Sequence, residues 1–243
     1  MPDSFYIKRT NSTNDLLNEM SRQRDLPEGF VVYTDFQHSG RGQQGNSWES
    51  EAGKNLLFSI LLYPKQIPIQ QQFIISQIVS IGIKKALDKY AGNISVKWPN
   101  DIYWNDEKLA GILIENSLQG ANIRNSIVGI GLNVNQTSFE KAPNPVSLKQ
   151  TTGKSIARKR LLKEIKESIF DIYRNWNAEQ IHSEYRNMLY RNTGYFPYSA
   201  GNEKFEAKII AIQPDGRLDL EDRAGKVRKF YFKEVRFESA NRF

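Results

Sequence analysis

The chain has 243 residues, of which 39% are hydrophobic and 25% charged, a composition typical of a soluble globular protein. It contains no cysteine and only two histidines, which excludes disulfides, thiolate metal sites and a cysteine nucleophile. The formal charge of +7 is uneven, because residues 121–243 carry net +8 and residues 1–120 carry net −1. A basic second half suits nucleic acid or an acidic protein partner, and composition leaves both open.

Targeting and membrane signals are also informative. No apolar run approaches the roughly 20 residues needed to cross a bilayer. The N-terminus, MPDSFYIKRTNSTND, lacks the charged-then-apolar pattern of a signal peptide. We therefore expect a cytoplasmic protein that does not contact the membrane.

The spacing of apolar residues predicts the main elements in chain order. Helices are expected at 12–21, 70–90 and 156–190, and strands at 30–36, at 55–64, from 93 until Pro99, and at 125–135. A hairpin is expected over 103–116, with its turn at 105–107. A linker at 193–202 and about 40 residues of short strands follow, which suit a small β-barrel. We predict an α+β fold with a central mixed or antiparallel sheet flanked by helices, and two domains, 1–192 and 193–243.

The first predicted helix begins with a recognisable capping pattern. Ser12 and Asp15 fit the [ST]-x-x-[DE] capping box, in which the two side chains satisfy each other's backbone N–H groups.

A glycine-rich loop follows the predicted strand at 30–36. Its glycines, Gly40, Gly42 and Gly45, have G-x-G-x-x-G spacing, but no helical run follows and no Walker A lysine is present. One interpretation is a plain surface loop. Fixing a flexible residue costs roughly 1–2 kcal/mol, so the other is a lid that becomes ordered when a ligand compensates that cost.

The segment 97–115, KWPNDIYWNDEKLAGILIE, presents Asn100, Asp101 and Lys108 on a strand-turn-strand unit. Taken singly, these residues are ordinary turn and strand-end residues. Taken together, these residues suit a site for a charged ligand. A carboxylate can hold Mg²⁺, and a lysine is a compact point charge for a phosphate or carboxylate oxygen.

Five motifs resemble the biotin–protein ligase family in order and spacing: STN, GRGxxGxxW, KWPNDI, KLAGILIE and GIGLNVN. The resemblance covers nearly the whole chain and implies the class II synthetase/biotin–lipoate ligase fold with a C-terminal SH3-like barrel. Lipoate and octanoate ligases or transferases share that fold and remain a rival, although KWPND and KLAGIL favour biotin. A non-enzymatic nucleic-acid binder that uses the barrel is a second rival, and the C-terminal strands offer few exposed aromatic residues for base stacking.

The resemblance implies an ATP-dependent ligase. It would join biotin to ATP in the presence of Mg²⁺, forming biotinyl-5′-adenylate and pyrophosphate, and then transfer biotin to one lysine of a biotin carboxyl carrier domain. The basic second half would suit an acidic carrier. Because only 11 residues precede Ser12, we expect the form without an N-terminal DNA-binding domain and no DNA partner. Family members of this form are monomers or homodimers.

The resemblance also implies roles for individual residues, with Lys108 and Arg41 as catalytic residues and Asp101 as the Mg²⁺ ligand. The implied biotin-binding residues are Ser12, Thr13, Asn14, Gln37, Arg41, Gly42, Gln43, Lys108 and Gly111, the last lying beneath the biotin ring. The implied ATP- and adenylate-binding residues are Gly40, Gly45, Trp48, Asn100, Gly131 and Asn133. Gln43 stands where the family usually carries arginine, and Gln44 where it often carries a basic residue. Since an amide brings no charge, we expect looser retention of the adenylate.

Overall fold

The computed structural model describes residues 4–239, apart from the side chain of Gln44. Its helices are α1 (Thr13–Gln23), α2 (Phe73–Leu87), α3 (Leu148–Thr152), α4 (Arg158–Arg174) and α5 (Ala178–Asn187). Its strands are β1 (Ser4–Thr10), β2 (Val31–Gln37), β3 (Leu56–Leu62), β4 (Ile94–Lys97), β5 (Asp101–Trp104), β6 (Glu107–Gln119), β7 (Asn122–Leu132), β8 (Phe196–Ala200), β9 (Glu203–Ile212), β10 (Leu218–Asp222), β11 (Val227–Phe230) and β12 (Arg236–Phe237).

Seven strands form the central sheet, in the order β1-β2-β3-β7-β6-β5-β4. β1 pairs in parallel with β2, and the other neighbours pair antiparallel, so the sheet is mixed. The predicted α+β class is therefore confirmed. Strand β1 was not predicted, because it is a half-exposed edge strand without a strong apolar pattern.

The two faces of the central sheet pack against different helices. Successive strand residues point to opposite faces. Val32, Leu61 and Ile127 pack with Leu17 and Met20 of α1. Their neighbours Val31, Ile60 and Val128 belong to the larger cluster that includes α2, α4 and α5. The sheet is thus a layer between α1 on one face and three helices on the other.

The predicted helix at 156–190 is two helices, and the prediction of one continuous helix was wrong. α4 ends at Arg174, and Asn177 caps α5 by accepting a hydrogen bond from the backbone N–H of Gln180. Asparagine is a good cap and a poor interior helix residue, and Asn175 and Asn177 are the signal for this break. Helix α4 packs closely on α2 at Gly82, where the lack of a side chain permits the approach. A Cβ on Gly82 would lie 2.7 Å from Ile169 Cα.

The C-terminal strands form a five-stranded antiparallel sheet in the order β11-β10-β9-β8-β12. The predicted linker at 193–202 was wrong, because half of it, Phe196–Ala200, is strand β8. Phe196 and Tyr198 alternate with smaller residues, Tyr198 is fully buried, and Gly201 has a positive φ in the turn that leads to β9. Apolar residues of both sheets belong to one buried cluster, and the division at residue 192 stays a prediction.

Among the helices of the described residues, none is both long enough and apolar enough to traverse a bilayer.

Candidate active site

A narrow cavity of about 110 Å³ lies on the α1 face of the central sheet. Residues of β3, β7 and β6 lie side by side at the floor of this cavity. Gly129 of β7 pairs with Ser59 of β3 and with Leu113 of β6, and Gly131 pairs with Gly111. Small-molecule pockets usually measure roughly 300–1,000 Å³. This cavity is smaller, and residues of the 40–48 loop form part of its lining.

The start of α1 forms a buried polar network at one end of this cavity. Ser12 caps the helix by accepting from the backbone N–H of Asp15 at 3.4 Å. The N–H and hydroxyl of Thr13 donate to Gln37 Oε1 at 2.7 and 3.1 Å. Ser59 Oγ lies 2.6 Å from Asn14 Oδ1 and 2.7 Å from Thr13 Oγ1. The predicted biotin-binding residues of this segment therefore lie together and hold one another in place.

Glu115 extends the network to the glycine loop. Asn14 Nδ2 donates to Glu115 Oε2 at 2.6 Å. The guanidinium of Arg41 donates to Asp15 Oδ1 at 2.5 Å and to Glu115 Oε1 at 3.2 Å. Only the Ser12 half of the predicted capping box is formed, because the Asp15 carboxylate pairs with Arg41. Arg41 is thus held by two carboxylates through Nη2, and its guanidinium carries further N–H groups on Nε and Nη1 that can donate to an anion.

The glycine loop is a compact hairpin. The N–H of Gly42 donates to Asn46 O at 2.6 Å, the N–H of Trp48 donates to Gly40 O at 2.9 Å, and a 3-10 turn spans Gln43–Gly45. Gly42 and Gln43 line the narrow cavity, whereas Gly40 lies at the base of the hairpin, beneath Trp48. Gly45 is at the tip with φ +86°, a conformation that favours glycine.

Trp48 lies on the paired glycines of β6 and β7. A Cβ on Gly131 would lie 2.5 Å from Trp48 Cε2, and a Cβ on Gly111 would lie 3.0 Å from Trp48 Cζ3. The two glycines therefore form a flat seat for the indole. Gly111 was expected beneath the biotin ring; in this conformation its neighbour is the loop tryptophan.

Lys108 and Asp101 form an ion pair on the cavity wall. Lys108 Nζ lies 2.8 Å from Asp101 Oδ1, and both side chains are less than one-third exposed. The backbone of Lys108 is held by Asn144 O and by the N–H of Val146, at 2.8 and 3.0 Å. The Asn100 amide donates to Ile112 O in the neighbouring strand. These contacts place the predicted catalytic lysine and metal ligand side by side.

Lys97 of the same KWPND motif points elsewhere. Its ammonium contacts the Tyr103 hydroxyl at 3.0 Å and lies over the rings of Tyr103 and Phe237. Burial lowers the pKa of the Lys97 ammonium, although Asp101 opposes the change. Lys97 therefore joins the two sheets rather than lining the cavity.

A second cavity, of about 410 Å³, lies between the glycine loop and the 138–145 segment. Its lining includes Gly45, Asn46, Ser47, Trp48, Glu49, Lys108, Asn133, Lys141, Ala142, Pro143 and Pro145. Trp48 Nε1 and Asn133 Oδ1 are buried, and neither has a hydrogen-bond partner within residues 4–239. Buried polar atoms are rarely left without a partner, and both residues line the second cavity.

Sequence reasoning missed several residues of the site: Ser59, Gly129, Glu115, the 141–145 segment and Phe232, which reaches the first cavity from the turn between β11 and β12. For Glu115 and Gly129 a signal was present, because both lie within the quoted KLAGILIE and GIGLNVN motifs. Phe232 offered no signal, since 121 residues separate it from Gly111.

Comparison with known proteins agrees with this geometry. Residues 6–133 match the model of the Biotin/lipoate A/B protein ligase family, and the chain belongs to that family. It is 29% identical to the bifunctional ligase/repressor BirA of Bacillus spizizenii, over 95% of this chain and 73% of that protein. It is 31% identical to the biotin–[acetyl-CoA-carboxylase] ligase of Mycobacterium tuberculosis, over 74% of this chain and 68% of that protein.

The fold is also that of a solved structure, the biotin protein ligase from Aquifex aeolicus in complex with biotin and ATP. The TM-score is 0.79 at 24% sequence identity, with 98% of this chain and all of that chain covered. At this level of identity the likeness shows the shared fold.

Proposed function

We propose that this protein is a biotin–[biotin carboxyl carrier protein] ligase, which forms biotinyl-5′-adenylate from biotin and ATP and transfers biotin to a carrier lysine. The observation that carries the proposal is the position of Lys108, a charged residue that lines both cavities. An ammonium at that junction suits the step that joins two anions, a carboxylate and the α-phosphate. Family membership and the named relatives support the same activity.

The first cavity accepts biotin. Hydroxyl and amide groups of Ser12, Thr13 and Asn14 suit a ureido group, which offers two N–H donors and one carbonyl acceptor. Gly111, Gly129 and Gly131 keep the floor flat. Because the Asn14 amide is held by Ser59 and Glu115, this end is organised before the ligand arrives.

The second cavity accepts the nucleotide. Its volume is within the range of small-molecule pockets. The polar edge of a base could accept a hydrogen bond from the indole N–H of Trp48. An amino group on the base could donate to Asn133 Oδ1. Lys108 and Lys141 provide positive charge for phosphate.

The first reaction is a displacement at the α-phosphorus. A biotin carboxylate oxygen forms the new P–O bond, and the bond to the β-phosphate oxygen breaks to release pyrophosphate. Lys108 stabilises the negative charge that gathers between the two anions, and Arg41 can donate from Nε and Nη1 while Nη2 stays on Asp15 and Glu115. In the second reaction the carrier amine attacks the acyl carbon, AMP leaves, and the amine loses a proton.

Asp101 is the proposed protein ligand for the Mg²⁺ that ATP would bring, and the ion would offset negative charge on the phosphates. Proteins usually bind Mg²⁺ through one or two carboxylates together with substrate phosphates. Asp101 fits that pattern, because its carboxylate lies on the wall of the first cavity and within 2.8 Å of Lys108, which also lines the second.

The proposed partner is the biotin carboxyl carrier domain of a biotin-dependent carboxylase. The net charge of +8 on residues 121–243 would attract an acidic domain. The cytoplasmic location, the lack of a DNA partner, and the choice between monomer and homodimer stay predictions.

Biotin-dependent exchange of pyrophosphate into ATP tests the proposal, with lipoic acid in a parallel reaction. We expect exchange with biotin and a loss of about 100-fold or more in Lys108→Ala, the usual scale for removing one transition-state donor. If lipoic acid supported exchange and biotin did not, lipoic acid would be the substrate instead of biotin. Exchange that survives in Lys108→Ala would remove Lys108 from the mechanism.

A further inference from the structure

Glu49, which follows the loop tryptophan directly, has an unusual set of contacts. One carboxylate oxygen accepts the N–H of Glu140 at 2.7 Å. The other accepts the N–H groups of Lys141 and Ala142 at 2.8 and 2.7 Å. Three consecutive backbone donors, 91–93 residues away in sequence, therefore converge on one side chain.

The segment that Glu49 holds is the outer wall of the second cavity. Lys141, Ala142, Pro143 and Pro145 line that cavity, and Trp48 and Asn133 line it as well. Residues 138–145 contain no helix or strand, so the wall depends on contacts of this kind. Farther along, Asn144 O and the N–H of Val146 pair with the backbone of Lys108. The segment is thus attached at Glu49 on one side and at Lys108 on the other.

We propose that Glu49 is a positioning residue for the nucleotide, which fixes the 138–145 wall against the glycine loop so that both close on one ligand. This inference rests on the proposed function. Hydrogen bonds to an ionised acceptor are stronger than those to a neutral acceptor, so a carboxylate suits this role. Partial burial alone would raise the pKa of the Glu49 carboxyl, but the three N–H donors and the Lys141 charge bring that pKa below its ordinary value.

The direction in which ATP affinity changes in Glu49→Gln distinguishes electrostatic repulsion by Glu49 from positioning of the wall by Glu49. A carboxylate beside a phosphate-binding cavity repels the ligand, so a through-space effect alone would make Glu49→Gln bind ATP more tightly. If Glu49 positions the wall, the same variant binds ATP more weakly, because the new NH₂ group faces backbone donors. Glu49→Asp keeps the charge but is one methylene too short, and it should resemble Glu49→Gln.

The experiment measures biotin-dependent pyrophosphate exchange at varied ATP and varied biotin. We expect the KM for ATP to rise about 10-fold in Glu49→Gln and Glu49→Asp, with the KM for biotin changed less than 2-fold. Glu51→Gln is the matched control, since it removes an equal charge from an exposed acid whose carboxylate pairs with Lys54 at 4.0 Å. An unchanged or lower KM for ATP in Glu49→Gln would overturn the proposal.

A second readout does not depend on activity. Trypsin cleaves after lysine, and Lys141 lies in the held segment. Glu49→Gln should be cut after Lys141 several-fold faster than the wild type or Glu51→Gln, as followed by mass spectrometry. Equal cleavage rates would show that Glu49 does not hold the segment. If wild-type protein shows no biotin-dependent exchange, the proposed function fails, whereas this readout still tests the contact itself.

Discussion

The two cavities differ in how completely their polar groups are satisfied. At the α1 end, Asn14 and Thr13 are bonded to Ser59, Gln37 and Glu115. In the second cavity, two buried polar atoms, on Trp48 and Asn133, have no protein partner within the described residues.

This difference bears on the order of assembly. A satisfied network keeps its geometry without a ligand, whereas a buried donor or acceptor without a partner costs about 1–3 kcal/mol until a ligand supplies one. Under the proposed function, the biotin end is therefore built into the fold, and we expect the nucleotide to complete the other end. Variants that disturb one end and leave the other intact test this contrast.

The largest effect is expected from Gly129→Ala at the biotin end. A Cβ at this position would overlap the Asn14 amide and displace it from Ser59 and Glu115. Overpacking costs about 1–3 kcal/mol, so biotin affinity should fall about 10- to 100-fold, as measured by calorimetry with biotin alone. Gly92→Ala is the control, because an added Cβ there has no neighbour within 4 Å. Normal biotin affinity in Gly129→Ala would contradict a prebuilt biotin end.

A smaller effect is expected from Asn133→Ala at the nucleotide end. The variant removes the proposed acceptor for the base and also the amide that donates to Val146 O at 3.1 Å. A loss of about 1–2 kcal/mol should raise the KM for ATP about 10-fold and leave biotin affinity within 2-fold. Asn135→Ala is the matched control, since that side chain bonds the backbone of Ile156 instead. Equal losses for both substrates would mean that the two ends are not independent.

Much of the site follows from alternation along the strands. In β7, Gly129 and Gly131 alternate with Val128 and Ile130, so the small residues share one face and the apolar residues the other. This pattern predicts a strand with one face open to a ligand. Gly131 and Asn133 were predicted from the resemblance alone, and this alternation is the local signal that would have placed Gly129 beside Gly131.

The rest depends on contacts between residues that are distant in sequence. Glu115 meets Arg41 across 74 residues, and Glu49 meets Ala142 across 93. Such pairs are set by sheet register and loop closure, which local spacing does not encode. Local signals can also mislead: 193–202 contains turn residues at both ends, and they bracket β8 rather than mark a linker.

Trp48→Phe isolates one of the two polar atoms at the nucleotide end. Phenylalanine keeps an aromatic ring on the glycine seat but removes the N–H, which has no protein partner within residues 4–239. Loss of one ligand hydrogen bond, about 1 kcal/mol, should raise the KM for ATP about 5-fold without lowering the melting temperature. Trp98→Phe is the contrast, because Trp98 Nε1 donates to Gly216 O at 2.8 Å and its loss should lower stability. If Trp48→Phe instead lowers stability and spares ATP, the indole N–H has a structural role.

The smallest effect is expected from Gln43→Arg, which adds charge to the loop that bridges the two ends. Arg41, which pairs with Asp15 and Glu115, is the single lysine or arginine of residues 40–48. A bond to a charged group contributes more than a neutral one, but partial exposure reduces the gain. Release of free biotinyl-adenylate without carrier should slow about 2- to 3-fold, as measured by chromatography of the filtrate. Gln119→Arg, at the exposed end of β6, controls for added charge. Equal or faster release from Gln43→Arg would contradict the idea that the missing loop charge loosens retention of the adenylate.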